Sequence, residues 1–292
     1  MTATADRSFR RPGSDDGLFG PDSVTWRIHT DPAMWIAAFS ALALQSLHPR
    51  TMWGTYQNSA LFRRREALAR LFRTADFVAT RTFGSSEEVR ETGARVRRIH
   101  AAITGVDERT GERFPVDDAE NLLWVHCAEV YPYLLVARAC GICRTDAEAD
   151  AYLDEQRRSA ALVGLDPERV PGSVAEMTEY FRRMRPELRL TTSARRGILM
   201  WLNTPAPRRL AALRLVYPFL GMLGIGLLPG WARRLYALSG EGAAGRALEA
   251  VMVRVARVTR AVMVRLPERY TGTAEQVRRI RRAKRIMRER RN

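Results

Sequence analysis

Apolar residues recur at a helical spacing through the first half of the chain, and this period restricts the fold more than any other feature. In segment 62–82 the apolar members are Leu68, Leu71, Phe72, Ala75 and Val78. Such spacing places them on one face of an α-helix, whereas a half-buried strand would alternate apolar and polar residues. Segment 86–104 shows the same period after a Ser-Ser-Glu-Glu sequence typical of a helix start. No strand pattern or internal repeat stands out in the sequence, so the chain is predicted to be all-α.

Segment 33–47 is almost wholly apolar and is predicted to be a buried core helix. Asp31 followed by Pro32 is a typical helix start, because the aspartate oxygen can cap and proline lacks a donor that the first turn would leave unpaired. The segment is shorter than the roughly 20 residues needed to cross a bilayer. Pro49 disfavours helix at the preceding residue, so the helix should end near His48.

The remaining sequence also favours helices. They are predicted over 118–140 (interrupted by Pro132), 146–163, 173–184, 191–202, 208–228, 247–266 and 274–291. The apolar run 215–228 is a weak transmembrane candidate because a proline and three glycines lie inside it. A buried or interfacial segment is the favoured interpretation, and contact with a membrane stays open.

Three parts are predicted along the chain: a disordered leader (1–19), a helical globular domain (20–240) and a basic amphipathic C-terminal extension (241–292). Arg10 and Arg11 are followed by aspartates and not by an apolar region, so no signal peptide is predicted. The cysteines, Cys127, Cys140 and Cys143, are too few and too clustered for a disulfide framework. A reducing, cytoplasmic location is expected, with peripheral contact at the inner face of the membrane left open.

The formal net charge of +16 is concentrated near the C-terminal end. Residues 254–292 contain 14 basic and three acidic side chains, which leaves a net charge of +5 for the rest. The basic character therefore belongs to this segment and not to a DNA-reading domain, and nucleic acid is not an expected partner. A solvated tail, or one that contacts an anionic membrane surface, is predicted.

The histidines are the first candidates for chemistry. A single histidine on an apolar helix is more often a core residue than a ligand, and no H-E-x-x-H or H-x-x-H spacing places two zinc ligands on one helical face. His100 and His126 could still meet across two antiparallel helices. A haem iron needs only one suitable imidazole, whose other nitrogen a neighbour holds in place.

Arg70, Arg73 and Thr74 fall at positions i, i+3 and i+4 and therefore share one helical face. Guanidinium groups beside a hydroxyl suit haem propionates or a bound oxygen species. From the spacing alone, an ordinary solvated basic face is the favoured interpretation.

Five sequence blocks together resemble one known family. They are Gly20-Pro21 to Trp26-Arg27, Leu47-His48-Pro49, Arg70 to Thr74, Val96 to His100, and Trp124-Val125-His126. Each block is weak alone, but their order and spacing over about residues 17 to 240 are fairly specific. The chain resembles a family of bacterial and fungal proteins grouped with the rubber oxygenase (latex clearing protein) and the endoplasmic-reticulum-bound oxygenase of mycophenolic acid biosynthesis.

The resemblance implies an all-helical oxygenase with a buried pocket for b-type haem, acting with dioxygen on a hydrophobic small molecule. It implies that His100 is the proximal ligand of the iron. Arg70, Arg73 and Thr74 take positions on the distal side, where an arginine replaces the family's lysine. A guanidinium stays protonated, so a lysine's role as an iron ligand does not transfer to Arg73. His126 is implied as a distal ligand, an acid/base group or a residue behind the ligands.

Two further residues, Arg97 and His48, are weaker candidates for cofactor binding, whereas His29 is expected to pack or cap. The alternative function is a non-enzymatic helical protein that binds lipid or a membrane surface through 215–228 and the basic tail. A di-metal enzyme is less favoured, since the Glu-x-x-His pairs of such helical bundles are absent from the sequence. The C-x-x-C of Cys140 and Cys143 has neither a βαβ context nor a second pair and indicates structural cysteines.

Overall fold

Helices dominate the structure, a computed structural model that describes residues 15–63, 66–202, 213–240, 242–268 and 272–290. Within these ranges there are thirteen α-helices and one antiparallel ribbon. The helices are α1 (Val24–His29), α2 (Met34–Gln45), α3 (Pro49–Asn58), α4 (Ala67–Phe83), α5 (Ser86–Ala101), α6 (Ala119–Ala139), α7 (Asp146–Ala161), α8 (Val174–Met184), α9 (Thr192–Leu202), α10 (Leu213–Gly226), α11 (Gly230–Leu235), α12 (Gly242–Arg265) and α13 (Ala274–Glu289). The ribbon pairs β1 (Thr104–Val106) with β2 (Arg113–Pro115). The prediction of a single all-α domain is confirmed.

Helix α2 lies at the centre of the core, packed between α6 and α10. It is apolar on nearly every side, which is the pattern of a helix surrounded by protein. Gly224 of α10 permits a close approach, because a Cβ there would lie 2.8 Å from the backbone nitrogen of Ser40. The Ser40 hydroxyl donates to the Gly224 carbonyl over 2.8 Å. A side chain at position 224 would therefore separate α2 from α10.

Three local features differ from what the sequence predicted. Helix α6 continues through Pro132, which was expected to interrupt it. Proline inside a helix costs about 3 kcal/mol or more, but α6 is buried against both α2 and α7, and this packing holds the helix together. Helix α3 was not predicted, and the connection 105–118 contains strand β2.

Helix α10 is half embedded in the core. Tyr217, Leu220 and Leu223 are buried, whereas Leu215 and Phe219 are exposed. This agrees with the prediction of a buried or interfacial segment. Among the residues that the structure describes, no helix is long and apolar enough to cross a membrane.

Helix α13 is packed against α4, so the prediction of a solvated tail is wrong for this segment. Val277 and Ala283 are buried, and Ala283 belongs to a small apolar cluster with Trp26, Ala79 and Phe83. Four of its arginines also form ion pairs, and Arg279 lies 2.7 Å from a Glu88 oxygen of α5. The predicted leader falls mainly on residues 1–14, outside the described residues, while the backbone carbonyl of residue 18 accepts from Arg158 of α7.

Candidate functional site

A cavity of about 640 Å³ lies between α4, α5 and α6. Five of the predicted site residues line it: Arg70, Arg73, Thr74, His100 and His126. They come from three helices that the sequence predicted, and α4 packs directly against α5. The structure therefore brings together residues that lie up to 56 positions apart in the sequence.

The α4 wall carries a linked arginine and threonine. Arg70 donates through Nη1 to the Thr74 hydroxyl, which in turn donates to the Arg70 carbonyl over 3.0 Å. Arg70 is half-buried, and burial together with the neighbouring Arg73 lowers the pKa of its guanidinium. Arg73 is more exposed. Because two of the three residues are partly buried in a cavity wall, this face differs from an ordinary solvated basic surface.

His100 reaches the cavity from the last turn of α5. The side chain is half-buried, and its Nδ1 is buried without a hydrogen-bond partner among the described residues. Burial lowers the pKa of His100, and of the nearby charges Asp117 opposes this shift while Arg70 adds to it. The imidazole is therefore held neutral, the form with a lone pair for a metal.

His126 faces the same cavity from the middle of α6 and is only 5% exposed. Its Nε2 is buried and also has no hydrogen-bond partner in the described part of the chain. Burial, assisted by the positive charge of Arg81, lowers the pKa of His126 to about 3. Two neutral imidazoles, each with an unsatisfied nitrogen, thus line one cavity. Buried polar atoms are rarely left unpaired, so these nitrogens are available to a bound group or to water.

A buried ion pair beside His126 was missed by sequence reasoning. Arg81 of α4 donates to Glu129 of α6 over 2.7 Å, and both residues line the cavity. Two sequence signals could have indicated it. Arg81 continues the 70, 74, 77 face at position i+11, and Glu129 is the only acidic residue in the apolar run 122–137. The pairing itself is tertiary, because 48 positions separate the partners.

Two weaker candidates lie elsewhere. His48 caps α3, with its Nδ1 accepting from the Thr51 N–H over 3.4 Å, and its ring lies 5.5 Å from that of Trp124. Arg97 donates to the carbonyl of Leu162 over 2.7 Å. Neither side chain lines the 640 Å³ cavity. The structure therefore gives both residues structural contacts and does not bring them together with His100 and His126.

His29 packs as expected. Its ring stacks on Tyr133 with a centroid distance of 4.9 Å, and its Nε2 lies 3.1 Å from the Tyr152 hydroxyl. The three cysteines are free and buried, and burial raises the pKa of the Cys140 thiol to about 11. Thiols held protonated in this way are poor nucleophiles, as expected of structural cysteines.

Comparison with known families places this site in context. The family model described as "ER-bound oxygenase mpaB/B'/Rubber oxygenase, catalytic domain" matches residues 26–261. The chain belongs to this oxygenase family. No curated protein and no solved structure matches the chain. The match includes every helix that lines the 640 Å³ cavity but ends inside α12, so the end of α12 and all of α13 lie beyond the oxygenase domain as the family defines it.

Lowering the pH from 7.5 to 5.5 is expected to destabilise the cofactor-free oxygenase through its buried histidines. Burial lowers the pKa of His29 and of His126 from 6.5 to about 3, and that of His48 to about 4. The contribution of these neutral imidazoles to the free energy of unfolding is fully present above pH 6.5. It is lost as the pH falls towards 3, because only the unfolded state binds the protons in that window. At pH 5.5 the loss is about 1–2 kcal/mol for each histidine.

Urea unfolding at the two pH values measures this effect. The His126→Gln variant should lose roughly a third of the pH-dependent difference, because three buried histidines share it, whereas Arg97→Gln should retain all of it. A free energy of unfolding that is equal at pH 7.5 and 5.5 would contradict the expectation.

Proposed function

We propose that this member of the oxygenase family is a haem b-dependent oxygenase that acts with dioxygen on a hydrophobic substrate. The observation that carries the proposal is the presence, in one cavity wall, of two neutral imidazoles with unpaired nitrogens, His100 from α5 and His126 from α6. Neutral imidazole is the usual protein ligand of haem iron. We assign the proximal ligand to His100, following the resemblance of its sequence block.

The residues present fit such a cofactor. A volume of about 640 Å³ lies within the 300–1,000 Å³ typical of small-molecule and cofactor sites. Apolar side chains including Phe77, Leu122 and Val125 line the walls, as a flat aromatic macrocycle requires. Arg70 and Arg73 supply guanidinium groups, which pair well with carboxylates such as propionates.

When bound, haem would supply the iron that binds and activates dioxygen. The chain's own groups would hold and orient the reactants. Arg70 and Thr74 offer hydrogen-bond donors at the α4 wall. His126 is neutral, and its buried Nε2 is available for a hydrogen bond. The neighbouring guanidinium of Arg81, held in place by Glu129, disfavours a second positive charge on His126.

A visible spectrum of the purified full-length protein, produced with an adequate haem supply, tests the proposal. A Soret band is expected, and a pyridine haemochrome spectrum should identify the haem as type b. Absence of a Soret band under these conditions would contradict haem dependence.

A second candidate function, contact with an anionic membrane surface, is favoured by two exposed apolar rows. Helix α10 exposes Leu215 (79% exposed), Phe219 and Met222, and α12 exposes Val258 and Val262. Arginines at positions 254, 257 and 265 follow the α12 row. Helices with exposed apolar residues flanked by arginine bind anionic lipid surfaces, because the apolar side chains are buried in the lipid and the arginines are attracted to its charge. This contact is compatible with an oxygenase, or it is the whole function in the alternative of a non-enzymatic lipid-binding protein.

Sedimentation with phosphatidylglycerol vesicles checks the membrane contact. Binding is expected to weaken at high salt and to fall about tenfold in Leu215→Asp/Phe219→Asp, whose apolar contacts with lipid are replaced by charge. Phosphatidylcholine vesicles serve as the control. Equal binding to both vesicle types and by both proteins would contradict the expectation, while binding without a Soret band would favour the non-enzymatic alternative.

A further inference from the structure

A second cavity, of about 360 Å³, is lined by residues of α2, α4, α12 and α13. Apolar side chains form most of its wall. Met34, Ala38 and Leu42 come from α2, and Leu71, Ala75 and Val78 come from α4. The two cavities have four wall residues in common: Leu42, Gln45, Thr74 and Glu129. They are therefore separated by a single layer of side chains.

The outer wall of this smaller cavity comes from beyond the family match. Met263, Val264 and Leu266 follow the end of that match at residue 261, and Val277 and Ile280 belong to α13. These side chains lie outside the segment that matches the oxygenase domain and belong to the chain's C-terminal extension.

Polar contacts fix this outer wall in place. Asp76 of α4 accepts hydrogen bonds from the Thr273 hydroxyl over 2.7 Å and from the Gln276 amide over 2.8 Å. Arg279 donates to both carboxylate oxygens of Glu88, at 3.0 and 2.7 Å. On α12, Arg260 donates twice to one Asp31 oxygen, at 2.8 and 2.7 Å. Helices α12 and α13 are thus held against the body at several points.

The charges around the smaller cavity are already paired. The charged side chains in its wall are Arg27, Asp31, Glu129, Arg260, Glu268 and Lys284. Their ion pairs are Arg27–Glu148, Asp31–Arg260, Glu129–Arg81 and Glu268–Lys284. A charged ligand would have to displace one of these partners, whereas an uncharged apolar ligand would gain from the apolar wall at no such cost.

We infer that the smaller cavity is the binding chamber for an uncharged apolar molecule, and that α13 and the end of α12 determine which molecules fit. That the bound molecule is the substrate rests on the proposed function, because only the shared side-chain layer separates this chamber from the proposed haem site. Its volume suits a compact molecule of one or two fused or linked rings, or a short hydrocarbon chain.

Binding of N-phenyl-1-naphthylamine, an uncharged apolar fluorophore, to the full-length protein tests the chamber. Its fluorescence should rise on saturable binding. Ile280→Trp on α13 and Val78→Trp on α4 fill the smaller cavity and should weaken binding by about tenfold or more, as overpacking does. Ile286→Trp makes the same change on α13 outside the cavity and should leave the affinity within about twofold, less than half a kcal/mol on the same scale.

Val96→Trp distinguishes the two cavities, because Val96 lines only the larger one. Its affinity for the fluorophore should stay near that of the unchanged protein. Loss of binding in Val96→Trp with retention in Ile280→Trp and Val78→Trp would overturn the chamber, as would no saturable binding. Fluorophore binding with the expected variant pattern but without a Soret band would retain the chamber and reject the haem proposal. Far-ultraviolet circular dichroism confirms that each variant is folded.

Discussion

The His100→Ala substitution is expected to abolish the Soret band, or to lower haem affinity by at least about 100-fold. Loss of a residue that hydrogen-bonds to a metal ligand typically lowers metal affinity 10–100-fold, and loss of the ligand itself should lower it further. The substitution should leave folding nearly intact, because His100 is only half-buried and its buried Nδ1 has no hydrogen-bond partner among the described residues. Titration of cofactor-free protein with haemin, followed at the Soret maximum, measures the affinity.

Two histidine variants serve as controls for this loss. His126→Ala should keep a Soret band but shift its position, because the residue lines the same cavity without being the assigned ligand. His48→Ala should keep the band unchanged, since His48 caps α3 and does not line the cavity. An unchanged band in His100→Ala, or its loss only in His126→Ala, would contradict the assignment of His100.

Local periodicity was enough to predict the helices that carry the site. The Leu68 to Val78 period corresponds to α4, and the Ser85 capping box was found at the start of α5. Such signals are local, because a helix must direct residues at i, i+3 and i+4 to one side whatever it packs against. The same rule predicted that Arg70 and Thr74 share one helical face. It did not predict that both side chains are half-buried.

Features that depend on tertiary packing could not be predicted. An arginine-rich amphipathic helix has the same sequence pattern whether its narrow apolar face is solvated or packed. In α13 the apolar members Val277, Ile280 and Ala283 were therefore insufficient to indicate docking, which depends on Asp76 and Glu88 of distant helices. Arg97 likewise lies in the sequence block of His100, but the sequence does not indicate that its side chain donates to the carbonyl of Leu162.

Breaking the Arg81–Glu129 ion pair is expected to destabilise the protein strongly. Glu129→Gln is expected to lower the free energy of unfolding by roughly 3–5 kcal/mol, because it leaves an unneutralised guanidinium at a position only 4% exposed. Arg81→Met should cost less, since Glu129 is more accessible, at 19% side-chain exposure. Urea unfolding at pH 7.5 measures each variant.

The double variant Arg81→Met/Glu129→Leu separates the loss of the pair from the penalty of a single buried charge. Replacing a buried ion pair with apolar residues of similar volume is often neutral or stabilising, so the double variant should be more stable than Glu129→Gln alone. Arg81 also lowers the pKa of His126 through its charge. The Arg81→Met variant should therefore raise that pKa, which nuclear magnetic resonance of the imidazole would detect, although burial would still hold it below 6.5. Strict additivity of Arg81→Met and Glu129→Gln in the combined variant Arg81→Met/Glu129→Gln would show that the two charges do not interact. An unchanged His126 pKa would remove Arg81 from the electrostatics of the site.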